Sequence, residues 1–110
     1  LLVATMLIST LSVFAKESGS FQVLGNCGMC KSRIEKAAKD AGATKAEWNN
    51  DTRMLTVEFK EKKTSLEKIQ QQVAAVGHDT DKFKATDDVY DKLPGCCKYD
   101  RSGKPSEHKH

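Results

Sequence analysis

The stretch "GNCGMCKSRIEKA", residues 25–37, places two cysteines three positions apart and continues into a charged segment with helical spacing of its apolar residues. Apolar side chains recur on one helical face from Ile34 to Ala41, and Gly42 is a favourable residue for ending a helix. We therefore predict a helix from about Cys30 to Gly42. Both thiols then lie at its N-terminus.

The rest of the chain supplies partners for this helix. Alternating apolar residues predict strands, and an apolar stripe that begins after the capping residues Thr64 and Ser65 and is closed by Gly77 predicts a second helix. The predicted order is a strand at 21–25, the first helix, strands near 46–48 and 55–59, the second helix, and a short edge strand within 78–85. This order is typical of an α+β, ferredoxin-like βαββαβ fold, with a four-stranded antiparallel sheet and both helices on one face.

Residues 1–15, "LLVATMLISTLSVFA", carry no charge and end in a pattern suited to signal peptidase. We interpret them as a partial signal peptide, which predicts a secreted or periplasmic protein in an oxidising compartment. A membrane anchor is the alternative, but a spanning helix needs about 20 apolar residues. We assign the domain to 16–85 and a C-terminal extension to 86–110, ending in the disordered polar tail "RSGKPSEHKH". The mature form is expected not to be embedded in a membrane.

Composition excludes several classes of function. The net charge is only +3, acidic and basic residues are interleaved, and aromatic residues make up 6% of the chain. A nucleic-acid surface needs a concentrated basic stripe with stacking aromatics, so no nucleic-acid partner is expected. The sequence also has no recognisable serine, histidine and acid set and no phosphate-binding glycine loop.

The cysteine pair, Cys27 and Cys30, has three interpretations. A helix N-terminus stabilises thiolates, and Lys31 and Arg33 add positive charge, so we expect both thiols to have a lowered pKa. Two thiolates suit a soft ion, with Cu(I) first and Zn(II) or Hg(II) as alternatives. The pair also fits a thiol-disulfide oxidoreductase, with Cys27 as nucleophile and Cys30 as resolving thiol. A structural disulfide is the third interpretation, but its loop is too short to constrain the unfolded chain much.

Two observations favour the metal carrier over the enzyme. Thioredoxin-like enzymes place a cis-proline opposite the cysteine pair, whereas the only prolines here are Pro94 and Pro105, both beyond the predicted sheet. The predicted strand order also differs from theirs. We therefore expect a binding protein and not an enzyme.

From Phe21 to about Phe83 the chain resembles the heavy-metal-associated domains, a family that includes copper chaperones, the N-terminal modules of copper-transporting P-type ATPases and the periplasmic mercury-binding protein. The residues that carry the resemblance are Phe21, Val23, Cys27, Cys30, Ile34, Glu35, Ala37 and Gly77. The resemblance implies a βαββαβ fold whose exposed loop holds Cu(I) or a related ion linearly between Cys27 and Cys30. It also implies transfer by ligand exchange to a metal-transporting ATPase or other metal acceptor, from a monomer or a metal-bridged dimer.

Three positions beside this pattern carry open alternatives. Members of the family usually have a buried methionine where this chain has Gly25. Met29 is interpreted as filling the gap from the other side, as offering a thioether to copper, or as simply exposed. His78 follows Gly77 and is interpreted either as a third ligand or hydrogen-bond partner of a cysteine sulfur, or as a surface histidine in a turn.

A second cysteine pair, Cys96 and Cys97, has no place in the family pattern. If Tyr90 and Leu93 dock on the core, the pair bridges to the first cysteines or extends the metal clamp to three or four sulfurs. The alternative is a structural disulfide or free thiols in a flexible tail. His108 and His110 at the end of the chain are expected to bind a divalent ion weakly or to have no specific role.

Overall fold

The structure is a computed structural model that describes residues 16–101. The predicted signal peptide at 1–15 and the tail at 102–110, with His108 and His110, lie outside the described residues. The elements are β1 (Lys16–Gln22), α1 (Gly28–Asp40), β2 (Ala43–Trp48), β3 (Met54–Lys60), α2 (Leu66–Ala75), α3 (Asp87–Asp91) and a 3-10 turn (Gly95–Cys97). Within 16–101, no helix is both long enough and apolar enough to cross a membrane.

The sheet has three antiparallel strands in the order β1-β3-β2. Along the central strand, β3, the side chains of Leu55, Val57 and Phe59 are buried and their neighbours are more exposed, which is the period expected of a sheet covered on one face. Buried residues of α1 and α2 join these three in one core cluster. The α+β architecture and the two main helices are therefore as predicted, and the arrangement is consistent with a ferredoxin-like fold.

The predicted fourth strand is wrong, because residues 78–85 make only one isolated bridge, between Val23 and Thr80. Local hydrogen bonds occupy this segment instead. The Thr80 backbone N–H donates to the Phe83 carbonyl at 2.7 Å, and the Asp79 carboxylate accepts from the Ala85 N–H at 2.8 Å. These bonds fold the segment into a turn, so its backbone is not free to form a strand ladder. The first strand also differs from its prediction, since β1 begins at Lys16 and ends at Gln22.

The C-terminal extension packs against the domain through residue 101. Leu93 is buried and Tyr90 is partly buried against the core, which confirms the expected docking of these two side chains. The Tyr99 hydroxyl donates to the Gly77 carbonyl at 2.6 Å and accepts from the Asp79 N–H at 2.8 Å. Arg101, placed by the sequence in a disordered tail, instead forms an ion pair with the buried Asp79 carboxylate at 3.0 Å. The extension is thus fixed to the end of α2.

Candidate metal centre

The loop between β1 and α1 positions the first cysteine. Its backbone is held by neighbouring segments, since the Val23 N–H donates to the Arg53 carbonyl at 2.8 Å and the Leu24 N–H donates to the Asp79 carbonyl at 2.9 Å. Cys27 is the N-cap residue of α1, with extended backbone angles and no side-chain capping bond. Its half-buried sulfur therefore lies at the positive end of the helix dipole.

The other three cysteines converge on Cys27. Its Sγ lies 3.5 Å from that of Cys30, 3.4 Å from that of Cys96 and 3.3 Å from that of Cys97. The Sγ atoms of Cys96 and Cys97 are 3.9 Å apart, and all four side chains are free thiols. In residues 16–101, a group of three side chains of the types Cys, His, Asp and Glu has its ligand atoms within 4.8 Å of one another. It consists of the sulfurs of Cys27, Cys96 and Cys97.

The thiols differ in their acidity. Burial raises the pKa of Cys27, but the nearby Cys30 backbone N–H and the neighbouring thiols stabilise its thiolate and lower the pKa to about 7. Burial raises the pKa of Cys30 to about 12. Hydrogen bonding to Cys27 raises the pKa of Cys96 to about 11. The expectation that both thiols of the motif are acidic is therefore wrong for Cys30, because its sulfur lies on the buried side of the first helical turn.

The positive charges beside the site also differ from the expectation. Lys31 is engaged by the Glu35 carboxylate and by the Trp48 carbonyl. Arg33 instead extends its guanidinium to the second cysteine pair, with Nη1 3.3 Å from the Cys97 sulfur. One cation of the motif thus lies against the sulfur cluster.

The space beneath the loop is filled by Trp48. A Cβ added at Gly25 would lie 3.2 Å from two carbons of the indole and 3.1 Å from the Cys30 Cβ. The indole is buried, and its Nε1–H donates to the Val23 carbonyl at 3.0 Å. Met29 is 54% exposed, so the prediction that it fills this gap is wrong. Its sulfur lies 3.8 Å from that of Cys96 at the surface.

His78 is fully buried, so it is not a surface histidine. Its Nδ1 is 2.8 Å from the Leu24 carbonyl and therefore donates to it, while Nε2 is buried without a hydrogen-bond partner. Its ring stacks on that of Tyr99 with a centroid separation of 5.5 Å. Burial lowers the pKa of His78 to about 4, with Arg33 contributing in the same direction. The imidazole is neutral at physiological pH and is not in the three-sulfur group found among residues 16–101.

Two residues that position the second cysteine pair were missed by the sequence analysis. Tyr99 and Arg101 fix the segment that follows Cys97, but the sequence pattern indicates no role for Tyr99 and places Arg101 in the polar tail. The available signal was the aromatic residue two positions after the cysteines, which is unusual in an otherwise polar stretch. Their partners at the end of α2, Gly77 and Asp79, lie 20 to 22 positions earlier, so the sequence pattern alone does not indicate them.

The sequence and the fold were compared with known proteins. The family model described as "Heavy-metal-associated domain" matches residues 26–79. A comparison with curated protein sequences gave no match. Among solved structures, the CopZ metallochaperone is 26% identical with a TM-score of 0.56, and the alignment covers 58% of this chain and 98% of that one.

Two further solved structures are similar to this chain to the same extent. Oxidized MerP from Ralstonia metallidurans CH34 is 28% identical with a TM-score of 0.56, covering 60% of this chain and 94% of that one. The N-terminal domain of a potential copper-translocating P-type ATPase from Bacillus subtilis, in the Cu(I)-loaded state, is 28% identical with a TM-score of 0.56, covering 60% of this chain and 85% of that one. The chain belongs to the heavy-metal-associated domain family, and its second cysteine pair lies beyond the matched segment.

Proposed function

We propose that the protein is a secreted or periplasmic carrier that binds a soft metal ion, Cu(I) first, through Cys27 and Cys30 and passes it on by thiolate exchange. The observation that carries this proposal is the position of the Cys27 sulfur, which lies at a helix N-terminus 3.5 Å from the Cys30 sulfur. Thiolates are soft ligands and select Cu(I) over harder ions, with Zn(II) and Hg(II) as the alternative occupants. The protein acts by binding and not as an enzyme.

The acidity of the two thiols suits binding of the metal ion in two steps, first by Cys27 and then by Cys30. Cys27 has a pKa of about 7, so a large fraction of it is thiolate at neutral pH and accepts the ion first. Cys30 has a pKa of about 12 and releases its proton only when the metal replaces it. Of the two sulfurs of the motif, the half-buried Cys27 is the one that an incoming thiolate of an acceptor reaches more easily. Release from this two-sulfur site therefore begins at Cys27.

The acceptor we propose is a metal-transporting ATPase or another metal-binding protein. Structures similar to this chain include a metallochaperone and the N-terminal domain of a potential copper-translocating ATPase, which supports this class of partner. Two such domains exchange an ion through an intermediate in which thiolates of both contact the metal. The secreted or periplasmic location rests on the uncharged segment at 1–15.

A thiol-disulfide oxidoreductase is the second candidate, favoured by one observation. A half-exposed thiol with a pKa of about 7 beside a buried thiol with a raised pKa is the arrangement of a nucleophilic and a resolving cysteine. The metallochaperone and the Cu(I)-loaded ATPase domain among the similar structures favour the carrier. Reduction of a protein disulfide such as that of insulin distinguishes the two, because the carrier is expected not to accelerate it above the rate given by a simple dithiol.

The carrier is tested by anaerobic competition for Cu(I) between the reduced protein and a chromophoric chelator. We expect Cys27→Ser/Cys30→Ser to bind Cu(I) at least about 100-fold more weakly, because both sulfurs of the pair are lost. Ser32→Ala, an exposed change in the same helical turn, is the matched control and should bind as the wild type does. Equal Cu(I) affinity of the double variant and the wild type would refute the proposal.

A further inference from the structure

We propose that the C-terminal extension completes a three-sulfur metal site formed by Cys27, Cys96 and Cys97. The inference rests on the proposed function, since Cys27 is common to both ligand sets. It adds two thiolate ligands, from Cys96 and Cys97, that the two-cysteine motif does not contain. The ion it would hold is a thiophilic one that accepts trigonal sulfur coordination, such as Cu(I) or Hg(II).

The spacing of the sulfurs is close to that of a trigonal site. Three sulfurs that each lie about 2.3 Å from a central ion are about 4 Å apart, whereas two sulfurs in a linear arrangement are about 4.6 Å apart. The three Sγ–Sγ distances among Cys27, Cys96 and Cys97 are 3.3, 3.4 and 3.9 Å. A trigonal ion therefore requires only a small expansion of this group. Linear coordination by Cys27 and Cys30, now 3.5 Å apart, requires a separation increase of about 1 Å.

The second cysteine pair is held in place from its N-terminal side. Cys97 is fully buried, and its N–H donates to the Pro94 carbonyl at 2.8 Å. Just before this turn, Leu93 packs so closely over Gly77 that a Cβ there would lie 2.9 Å from the leucine side chain. The turn that carries both cysteines is thus seated on the end of α2.

Aromatic contacts hold the pair from its C-terminal side. The buried Tyr99 hydroxyl bonds to two backbone groups at the end of α2, and the Tyr90 hydroxyl donates to the Tyr99 carbonyl at 2.6 Å. The rings of Tyr90 and Tyr99 pack edge to face with centroids 5.0 Å apart. Because both flanks are fixed, the two sulfurs are presented to Cys27 by a defined structure and not by a flexible tail.

The charge beside the cluster is a second, independent observation. Three thiolates around Cu(I) leave a net charge of minus two, and around Hg(II) of minus one, so a nearby cation stabilises the loaded site. The Arg33 guanidinium lies 3.3 Å from the Cys97 sulfur and so compensates part of this charge. The guanidinium thus contacts a sulfur of the extension, where the negative charge of a three-sulfur site would lie.

The three-sulfur site changes how the ion is held and released. Each thiol loses its proton to solvent as its sulfur binds, and no electron is transferred. Cys96 is the exposed member, so an acceptor thiolate can displace it first, while the buried Cys97 retains the ion. The three-sulfur site therefore holds the ion more tightly than the two-sulfur loop does.

The test is X-ray absorption spectroscopy of the purified protein loaded anaerobically with one equivalent of Cu(I), combined with chelator competition. We expect three Cu–S bonds in the wild type and two in Cys96→Ser/Cys97→Ser, with Cu(I) affinity at least about tenfold lower in the variant. Cys96→Ser alone changes an exposed side chain and should lower the coordination number without affecting folding. The wild-type spectrum needs no variant, so a folding defect at Cys97 does not prevent a decision.

The outcomes separate the two proposals. Two Cu–S bonds in the wild type, with unchanged affinity in Cys96→Ser/Cys97→Ser and strongly reduced affinity in Cys27→Ser/Cys30→Ser, overturn the three-sulfur site and leave the carrier function intact. Wild-type affinity in every cysteine variant overturns both.

Discussion

At the scale of single residues, the two cysteines of one short motif have opposite environments. Cys27 is a half-buried helix N-cap whose pKa is about 7, and Cys30, three positions later, is buried with a pKa of about 12. The helix N-terminus acts on both thiols, but desolvation decides the outcome for the buried one. The motif is therefore asymmetric.

This asymmetry predicts selective alkylation. In the reduced, metal-free protein at pH 7, iodoacetamide should modify Cys27 well before Cys30 or Cys96, since only the thiolate reacts. Peptide mass spectrometry over a pH series should give an apparent pKa of about 7 for Cys27. The same labelling in denaturant is the control, in which all four thiols react alike. Equal labelling of Cys27 and Cys30 in the folded protein contradicts the assignment.

The buried His78 predicts a pH-dependent stability. Its pKa is about 4 in the folded protein and about 6.5 in an unfolded chain, so the unfolded state binds the proton first as the pH falls. The contribution of His78 to stability is therefore complete above pH 6.5 and decreases as the pH falls to about 4, by up to about 3 kcal/mol.

Denaturant unfolding between pH 7.5 and 4 measures this change. His78→Asn, whose amide can donate to the Leu24 carbonyl as Nδ1 does, lacks the titrating group and should show a smaller loss over the same range. An identical pH profile in His78→Asn and the wild type would show that His78 is not responsible.

At the scale of elements, the loop between β1 and α1 packs closely on β2. Gly25 in this loop and Trp48 at the end of β2 are in such close contact that a change in one affects the other. A side chain at Gly25 would press on the buried indole and on Cys30, so Gly25→Ala should lower the free energy of unfolding by about 1–3 kcal/mol. Gly28→Ala is the matched control, because an added Cβ there has no atom within 4 Å. Denaturant titration of both variants checks the prediction, which fails if the two are equally stable.

The docked extension gives a second prediction at this scale. Tyr99→Phe removes a hydroxyl that bonds to the Gly77 carbonyl and the Asp79 N–H, leaving two buried backbone groups without this partner. The free energy of unfolding should fall by about 1–3 kcal/mol. Lys98→Ala, at an exposed neighbouring position, should leave stability nearly unchanged. A Tyr99→Phe protein as stable as the wild type would indicate that the extension is not anchored in this way.

The elements differ in how well the sequence predicts them. Periodicity and end residues predicted α1, α2 and the two hairpin strands, because these signals are local. The prediction of a fourth strand was wrong because Asp79 and Thr80 form hydrogen bonds with other groups, both distant and neighbouring in sequence. These bonds take the place of the hydrogen-bond ladder of a strand. For the candidate site, the spacing of Cys27 and Cys30, their position before a predicted helix and the family resemblance predicted them as ligands. The approach of Cys96 and Cys97 depends on Tyr99 and Arg101, whose partners are remote in sequence.

At the scale of the whole molecule, the family domain and its extension form one unit around a single sulfur. The matched family segment ends at residue 79, yet the extension places two further sulfurs within 3.4 Å of Cys27. Cys27 therefore belongs to both of the proposed ligand sets, the pair with Cys30 and the group with Cys96 and Cys97. Metal binding should depend on it more than on any other cysteine.

The most direct measurement is the Cu(I) dissociation constant of Cys27→Ser, determined anaerobically by chelator competition beside each of the other single cysteine variants. We expect the loss of affinity to be greatest for Cys27→Ser, at least about 100-fold, because both the Cys30 pair and the three-sulfur group lose their common ligand. A dissociation constant for Cys27→Ser equal to that of the wild type would contradict the account.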